Sequence, residues 1–464
     1  MDSFSRMTGR LRVMLQEIAA AANVPGVAVA IARGSDSAVI CAGVAAKSGH
    51  AIDEDSVFEI GSITKLWTAT LIMQLVDEGV LALDDRVESV LQDFRLADPE
   101  STRTITVRHL LCHSGGFDGD VFSDTGEDED SLARYVEGLA RIGTFSPPGR
   151  IFSYCNAGIV VLGRILEVLR KMPFDEVLTR YLIEPLGLHS TFPDPHLVPE
   201  DRLVTGHGWP DGEATPIGAL PRGLAPTGTR LSANARDLLE FGRLHACEPS
   251  MVTKKRVLSS AALAQMQTPQ DVLVPYLGPR WGASRGLGWS IDDVTGVRVL
   301  GHNGHTLGQV SALRVIPSHA VVIVVLTNGG DAYALIDQVI AMALSDTLDV
   351  TIEAPLLPSS QPAEIDTATY EGVYQGVAVR HAVTGTDGEA LRMMTTYADP
   401  DGVFGAPVSV TELRHHRGHS FVSAELDCGY HPVYTFVMDA DGLPRYLHNG
   451  RARPRVQATA HSDH

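Results

Sequence analysis

The chain has little cysteine and little lysine. Its 464 residues include five cysteines, and only five of its 37 basic residues are lysines. The cysteines are odd in number, widely spaced and never arranged as C-x-x-C: Cys41, Cys112, Cys155, Cys247 and Cys428. This usage argues against a disulfide scaffold or a cysteine zinc site, and it is typical of free thiols in a reducing compartment. Because lysine is scarce, a lysine inside a short motif is noteworthy.

Long apolar runs and excess positive charge are also missing. The longest strongly apolar run, Ala320 to Leu326, is far shorter than the ~20 residues of a membrane span. Met1 to Arg12 contains arginines but no apolar segment and no small-residue cleavage site, which predicts a cytoplasmic protein. A formal net charge of −19 argues against nucleic acid or an anionic membrane as a partner.

Apolar periodicity places strands at both ends of the first 350 or so residues and helices between them. Arg10 to Ala22 and Ser232 to Ala246 have the spacing of amphipathic helices. Strand patterns occur over Val27 to Ala32 near the start, and over Gln309 to Ile316 and Ala320 to Leu326 near the end. The simplest arrangement is one antiparallel sheet built from both ends and flanked by helices, an α/β (α+β) fold.

The composition changes near residue 355. Pro355 to Pro362 is polar, contains proline and has no periodicity, as in a linker. Short alternating strands follow, separated by turn signals such as Asp439 to Gly442. We predict a first domain over residues 1–350, a linker over 351–362 and a small all-β domain over 363–464.

One of the scarce lysines stands in Ser62-Ile63-Thr64-Lys65, just before the mostly apolar run Leu66 to Val76. A hydroxyl and an amine three residues apart at a helix start lie on one face, one turn apart. A partly buried lysine loses some preference for its charged form, and a neutral amine can take a proton from serine. The helix N-terminus adds N–H groups where an oxyanion would form. The motif predicts an activated serine nucleophile; a capping serine followed by a surface lysine is the alternative.

Two further short elements complete the candidate site. Tyr154-Cys155-Asn156 stands immediately before a predicted helix, and His302-Asn303-Gly304 lies on a predicted strand before the last hairpin. A tyrosine can donate a proton to a leaving group. The alternatives are a core aromatic for Tyr154, a helix cap for Asn156 and a structural role for His302.

In order and spacing, the three elements resemble the Ser-x-x-Lys, Tyr-x-Asn and Lys/His-x-Gly motifs of the serine β-lactamase and penicillin-binding-protein superfamily, in its class C-like branch (peptidase S12 type). The resemblance covers about Leu11 to Leu348. It implies a β-lactamase/transpeptidase-like catalytic domain and an acyl-enzyme mechanism that uses no metal and no organic cofactor. In this mechanism Ser62 is acylated, Lys65 assists removal of its proton, Tyr154 relays a proton to the leaving group, and Asn156 orients Lys65 and the substrate amide.

The third element departs from the β-lactamase pattern. His302 stands where β-lactamases carry a lysine that holds the carboxylate of a β-lactam, so esterase, D-aminopeptidase or transacylase chemistry is favoured over efficient β-lactamase activity. We expect His302 to orient the tyrosine or to share the base role. The backbone N–H groups of Ser62 and His305 are expected to form the oxyanion hole, and Gly304 and Thr306 to contact substrate.

The C-terminal β-domain looks like the lipocalin-like appendage of the penicillin-binding-protein-type thioesterases of nonribosomal peptide pathways. This likeness implies a peptidyl thioester with a D C-terminal residue, delivered by a peptidyl carrier protein and released as a macrolactam. Arg445, Arg451 and Arg453 are candidates for binding a substrate carboxylate; a solvated terminal face is the alternative. The other functions left open are a D-stereospecific esterase, aminopeptidase or carboxypeptidase, an amide-forming transacylase, and a ligand-binding or sensing module.

Two clusters of polar residues suggest metal sites, but their spacing favours solvated loops. Seven acidic residues between Asp118 and Asp130 do not match the EF-hand spacing. His415, His416 and His419 are interrupted by arginines. We therefore expect both segments to be solvated loops without a metal.

Overall fold

The computed structural model describes residues 3–46, 49–208, 212–218, 220–246, 253–359, 365–386, 390–397 and 408–456. Cys247 and the last residues of the predicted linker lie outside this described part of the chain. The four described cysteines are free thiols, and three of them are buried. No described helix is long and apolar enough to cross a membrane.

Most helices lie in the middle of the first domain, and one further helix lies at each end of that domain. They are α1 (Ser3–Ala21), α2 (Thr64–Asp77), α3 (Val87–Val90), α4 (Pro99–Thr104), α5 (Val107–Leu111), α6 (Ser131–Gly138), α7 (Asn156–Arg170), α8 (Phe174–Leu178), α9 (Glu184–Leu186), α10 (Ala235–His245), α11 (Ser260–Met266) and α12 (Ala332–Leu348). Between them they cover both faces of the main sheet.

Strands build two sheets in the first domain and a barrel after it. They are β1 (Gly26–Arg33), β2 (Asp36–Gly43), β3 (Val57–Glu59), β4 (Thr191–Phe192), β5 (Ser232–Asn234), β6 (Ser284–Arg285), β7 (Ser290–Val294), β8 (Val297–His305), β9 (Val310–Ile316), β10 (Val321–Thr327), β11 (Gly372–Gln375), β12 (Val379–Thr386), β13 (Ala390–Tyr397), β14 (Val408–Arg417), β15 (Ser420–Ser423), β16 (Val433–Met438), β17 (Pro444–His448) and β18 (Ala452–Val456). The predicted antiparallel sheet is confirmed, with the strand order β2-β1-β10-β9-β8-β7-β6.

Two hydrophobic cores lie on the two faces of the main sheet. Because side chains alternate along a strand, Ala28 and Ala30 lie on the face that packs against α10, in one buried cluster with residues of α2 and α7, whereas Val27 and Val29 lie in the cluster formed with α1 and α12. Each fully buried valine contributes roughly 1.5–3 kcal/mol relative to an exposed one. Helix α2 is buried along nearly its whole length, which fixes the motif at its N-terminus.

Two helices differ from their predicted bounds. Helix α1 begins earlier than predicted, because Met7 lies one turn before Leu11 on the same buried face. Helix α10 begins at Ala235 rather than Ser232, because the three preceding residues form β5. The side chain of Asn234 then caps the helix.

Strands β11 to β18 form a closed antiparallel barrel in sequence order, which confirms the predicted all-β domain. Its core contains Tyr374, Phe421 and Phe436. The prediction of a solvated loop for the histidine segment is wrong in its first part, because β14 pairs with β15 as far as Arg417. No group of three or more potential ligands among the described residues could hold a metal ion.

Candidate active site

Ser62 lies on a tight turn between the small sheet and α2. The segment Gly61–Ile63 forms one 3₁₀ turn that leads directly into the helix. Gly61 has φ +55°, and a Cβ there would lie 2.6 Å from the amide nitrogen of His305. Only glycine fits this close approach, which brings β8 up against the serine.

Lys65 lies one turn into α2 and is 1% exposed. Its Nζ is 2.9 Å from Ser62 Oγ and donates to the carbonyl of Thr227 at 2.8 Å. Burial lowers the pKa of Lys65 well below its ordinary value; the cationic Arg451 lowers it further, and the Asp120 carboxylate opposes the effect. A neutral Lys65 amine can accept the Ser62 proton.

Tyr154 lies in the extended segment just before α7 and faces the same serine. Its phenol hydrogen-bonds Ser62, and Lys65 Nζ stands 4.9 Å from its ring centroid. Burial raises the pKa of Tyr154 to about 12. The phenol therefore keeps its proton at neutral pH, which suits it to donate that proton to a leaving group.

Aromatic and cationic side chains surround the Tyr154 ring. His113 stacks on it with centroids 4.6 Å apart, and Trp281 approaches edge-on at 5.7 Å. The Arg451 guanidinium stands 5.1 Å from the ring centroid. His113 is itself fixed, because its Nδ1 accepts from the Cys155 N–H at 3.1 Å. These contacts hold the ring over the lysine.

His302 lies on β8 beside the tyrosine, with ring centroids 6.3 Å apart. Its Nδ1 is 2.7 Å from the Asn303 carbonyl, which can only accept, so Nδ1 carries the ring proton. Burial, helped by the charge of Lys65, lowers the pKa of His302 to about 3. The ring is therefore neutral and does not replace the missing lysine as a cation. Its predicted roles, orienting the tyrosine or sharing the base role, stay predictions.

The amides predicted for the oxyanion hole lie on facing segments. Strand β7 pairs with β8 over Val297 to Gly301, so the edge of β8 beyond that point is available to the serine turn. The N–H of Thr306 donates to the Gln309 carbonyl across the β8–β9 hairpin. Because hydrogen-bonded pairs alternate in an antiparallel ladder, the N–H of His305 points away from β9. This geometry suits the predicted oxyanion role.

Gly304 and Thr306, predicted to contact substrate, both tie β8 to neighbouring elements. A Cβ at Gly304 would lie 2.0 Å from the Ile60 carbonyl, so this glycine allows β8 to approach the serine turn. Thr306 Oγ1 lies 3.3 Å from the Glu59 carboxylate, whose pKa is raised by burial. These contacts fix the strand that carries His305, and a contact of either residue with substrate stays a prediction.

The remaining predicted residues occupy different environments. Asn156 is buried at the first position of α7, and its contact with Lys65 stays a prediction. Arg445 is exposed on β17, with its guanidinium 5.2 Å from the Tyr446 ring centroid. Arg453 is buried on β18 and donates to Asn449 Oδ1 at 2.7 Å. Of the three candidate arginines, Arg451 is the one over the tyrosine ring.

Arg451 of the barrel forms an ion pair with Asp120 of the first domain. The Arg451 Nε is 2.8 and 2.6 Å from the two carboxylate oxygens. Asp120 is only 9% exposed, so the predicted solvated loop is wrong at this residue, which pairs with the barrel instead. The sequence contained no sign of this ion pair beyond a run of acidic residues around Asp120, because its two members are 331 positions apart in the chain.

This ion pair leads to a prediction about pH. Because a lysine must be neutral to accept a proton, a base role for Lys65 predicts that kcat/KM rises with pH through the pKa of Lys65. Arg451→Gln removes a cation that lowers that pKa and is therefore expected to move the acid limb of the profile to higher pH. Asp120→Asn removes a negative charge that raises the pKa of Lys65 and is expected to move the acid limb to lower pH. Measured kcat/KM profiles that shift in the same direction for both variants would contradict this role.

The site and its fold match a known protein family. The family model described as Beta-lactamase matches residues 11–340. The chain belongs to the β-lactamase/penicillin-binding-protein family. Penicillin-binding protein 4 of Amycolatopsis lactamdurans is 38% identical over 361 residues, which cover 76% of this chain and 93% of that protein. Members of this family are serine hydrolases and acyl transferases, so the protein is a serine enzyme of this kind.

Two other similar proteins extend the comparison. The Unguisins hydrolase ungD' of Aspergillus campestris (strain IBT 28561) is 25% identical over 324 residues, which cover 66% of this chain and 59% of that protein. The crystal structure of SurE with D-Leu superimposes with a TM-score of 0.75 and 25% identity, covering 97% of this chain and 100% of that one. The second likeness therefore includes the barrel as well as the serine site.

Proposed function

We propose that the enzyme transfers the acyl group of a peptidyl thioester or ester with a D-configured C-terminal residue, and that an amine of the same peptide resolves the acyl-enzyme as a macrolactam. The observation that carries the proposal is the likeness over 97% of the chain to SurE, solved with D-Leu. A D-amino acid in that protein supports a D-residue at the acyl position here. Delivery by a peptidyl carrier protein is part of the proposal.

The site contains the groups that this chemistry needs. Lys65 takes the Ser62 proton as Oγ attacks the thioester carbonyl; the carbon–sulfur bond breaks, and Tyr154 donates its proton so that a thiol leaves. The Lys65 ammonium then returns a proton to the Tyr154 phenolate. In the second half, the peptide amine attacks the Ser62 ester and loses a proton to Lys65. Ser62 Oγ leaves with a proton from Tyr154, which Lys65 again restores.

Hydrolysis of the same acyl-enzyme is the second candidate. It is favoured by the similarity to a protein named a hydrolase of unguisins. Water would then replace the amine, which gives a D-stereospecific esterase, aminopeptidase or carboxypeptidase. An amine from a separate molecule would make the enzyme a transacylase. Each of these uses the same acyl-enzyme and differs in the nucleophile of the second step; the peptidases differ also in the first step, in which they would cleave an amide and release an amine.

Two peptidyl thioesters that differ only in the configuration of the C-terminal leucine test the proposal. We expect the D-leucine thioester to be consumed at least about 10²-fold faster than the L-leucine one. Mass spectrometry of the product is expected to show a species one water lighter than the linear acid, since the peptide's own amine has attacked.

Products other than the macrolactam would identify a different function. If only the D-leucine thioester is consumed and its product is the linear acid, cyclisation would be contradicted and a D-stereospecific hydrolase established. A conjugate formed only when an external amine is added would identify a transacylase. Equal consumption of both thioesters would contradict the preference for a D-residue.

A further inference from the structure

One turn of the barrel holds the backbone of the segment that carries the catalytic tyrosine. The turn lies between β17 and β18. The N–H of Tyr154 donates to the Gly450 carbonyl at 2.8 Å. Two residues earlier in each segment, His448 Nε2 lies 2.7 Å from the Phe152 carbonyl. The barrel therefore contacts the tyrosine segment on both sides of Ser153.

His448 bridges the two contacts. The Phe152 carbonyl can only accept, so His448 Nε2 carries the ring proton and donates it. The other ring nitrogen, Nδ1, accepts from the Gly450 N–H at 3.1 Å. The imidazole is completely buried, and both of its nitrogens are hydrogen-bonded. It fixes the barrel turn and the tyrosine segment at the same time.

Two further contacts leave this turn little freedom. The N–H of Ala452 donates to Ser153 Oγ at 3.1 Å. A Cβ at Gly450 would lie 2.3 Å from the ring of Trp281, which also packs edge-on against Tyr154. Phe152, Ser153 and Tyr154 are thus consecutive residues of the first domain, and each is hydrogen-bonded to residues 448–452 of the barrel.

We infer that the barrel turn 448–452 positions the catalytic tyrosine, with His448 as its central residue. The segment that carries Tyr154 is extended, and α7 begins only at Asn156, so its backbone lies outside the helical hydrogen-bond ladder. The Tyr154 phenol has to stay within hydrogen-bonding distance of Ser62 and the leaving group. The inference rests on serine acyl transfer alone and is independent of the substrate proposed above.

Two esters of one N-acyl-D-amino acid can test this role through their leaving groups. The 4-nitrophenyl ester expels a stable phenolate that needs no proton, whereas the methyl ester needs the proton of Tyr154. The asparagine in His448→Asn can place its amide oxygen near the Nδ1 position and accept from Gly450, but its side chain is too short to donate to Phe152 from the Nε2 position. We expect acylation by the methyl ester to fall about 10²-fold, because a displacement near 1 Å has effects of that size. Acylation by the 4-nitrophenyl ester is expected to fall much less.

The matched control removes a different hydrogen bond between the barrel and the first domain. The Tyr446 hydroxyl donates to the Phe145 carbonyl at 3.0 Å, so Tyr446→Phe loosens the interface away from Tyr154. This variant is expected to keep the wild-type ratio of the two acylation rates. A folded His448→Asn protein with an unchanged ratio would overturn the inference, whether both rates stay high or fall together.

A smaller substitution keeps the inference testable if His448→Asn does not fold. Ser153→Ala removes only the hydroxyl that accepts from Ala452. It is expected to lower the methyl-ester rate relative to the 4-nitrophenyl rate in the same direction, with a smaller effect. Thermal unfolding of each variant shows that it is folded, and an unchanged ratio in folded Ser153→Ala would also contradict the positioning role.

Discussion

Ser62→Ala is expected to abolish the acyl-enzyme and to lower turnover of esters and thioesters by at least about 10⁴-fold, as loss of the nucleophile does in other serine enzymes. Ser62 Oγ lies 2.9 Å from Lys65 Nζ and is hydrogen-bonded to the Tyr154 phenol. The two groups proposed to handle protons, Lys65 and Tyr154, therefore converge on this one oxygen. Intact-protein mass and steady-state rates measure the two effects.

The control for Ser62→Ala is an exposed serine. The Ser89 hydroxyl donates to the Arg86 carbonyl at 2.6 Å on the surface, so Ser89→Ala is expected to keep the adduct and the rate. In Ser62→Ala, substrate binding should survive while turnover vanishes, and this combination separates an enzyme from a ligand-binding or sensing module. Turnover at the wild-type rate in folded Ser62→Ala would refute a mechanism in which Ser62 is the nucleophile.

Lys65→Met is expected to lower the rate of acylation about 10³-fold, within the range found for general bases. Methionine keeps an unbranched apolar side chain in the buried space but cannot accept a proton. The pH profile should change as well. In the wild type the rate rises with pH as Lys65 loses its proton, and this limb should disappear in the variant.

The alkaline side of the profile follows from Tyr154. Because burial raises its pKa to about 12, the phenol stays protonated through the ordinary pH range, and no falling limb from this group is expected below that value.

The matched control for Lys65→Met is Lys171→Met, because Lys171 is an exposed lysine just after α7. A Lys65→Met protein that keeps more than a tenth of the wild-type rate would exclude Lys65 as the base.

The parts of the site that the sequence could predict are local. Ser62 and Lys65 are one helical turn apart, so their spacing alone brings them together once α2 forms. The sheet was predictable because its strands are apolar and flanked by turn residues, and short alternating strands separated by turn signals predicted the small all-β domain, whose closure into a barrel the structure shows. The order of the three motifs then supplied the family and, with it, the expected position of Tyr154.

The parts that sequence reasoning missed depend on how the barrel packs. The contact between Arg451 and Asp120 joins residues 331 positions apart, and that between His448 and Phe152 joins residues 296 apart. No periodicity connects such residues. The neutral state of His302 is likewise a result of burial, which the motif does not report. These long-range contacts bring the barrel against the candidate site.

The most direct test of Ser62 as the nucleophile is to locate the acyl group after a short reaction with a peptidyl thioester ending in D-leucine. The protein is quenched in acid and digested, and the modified peptide is sequenced by tandem mass spectrometry. We predict a single acyl group, attached to Ser62 and formed more slowly in Lys65→Met. An acyl group on Lys65, His302 or Cys155 that persists in Ser62→Ala would contradict it.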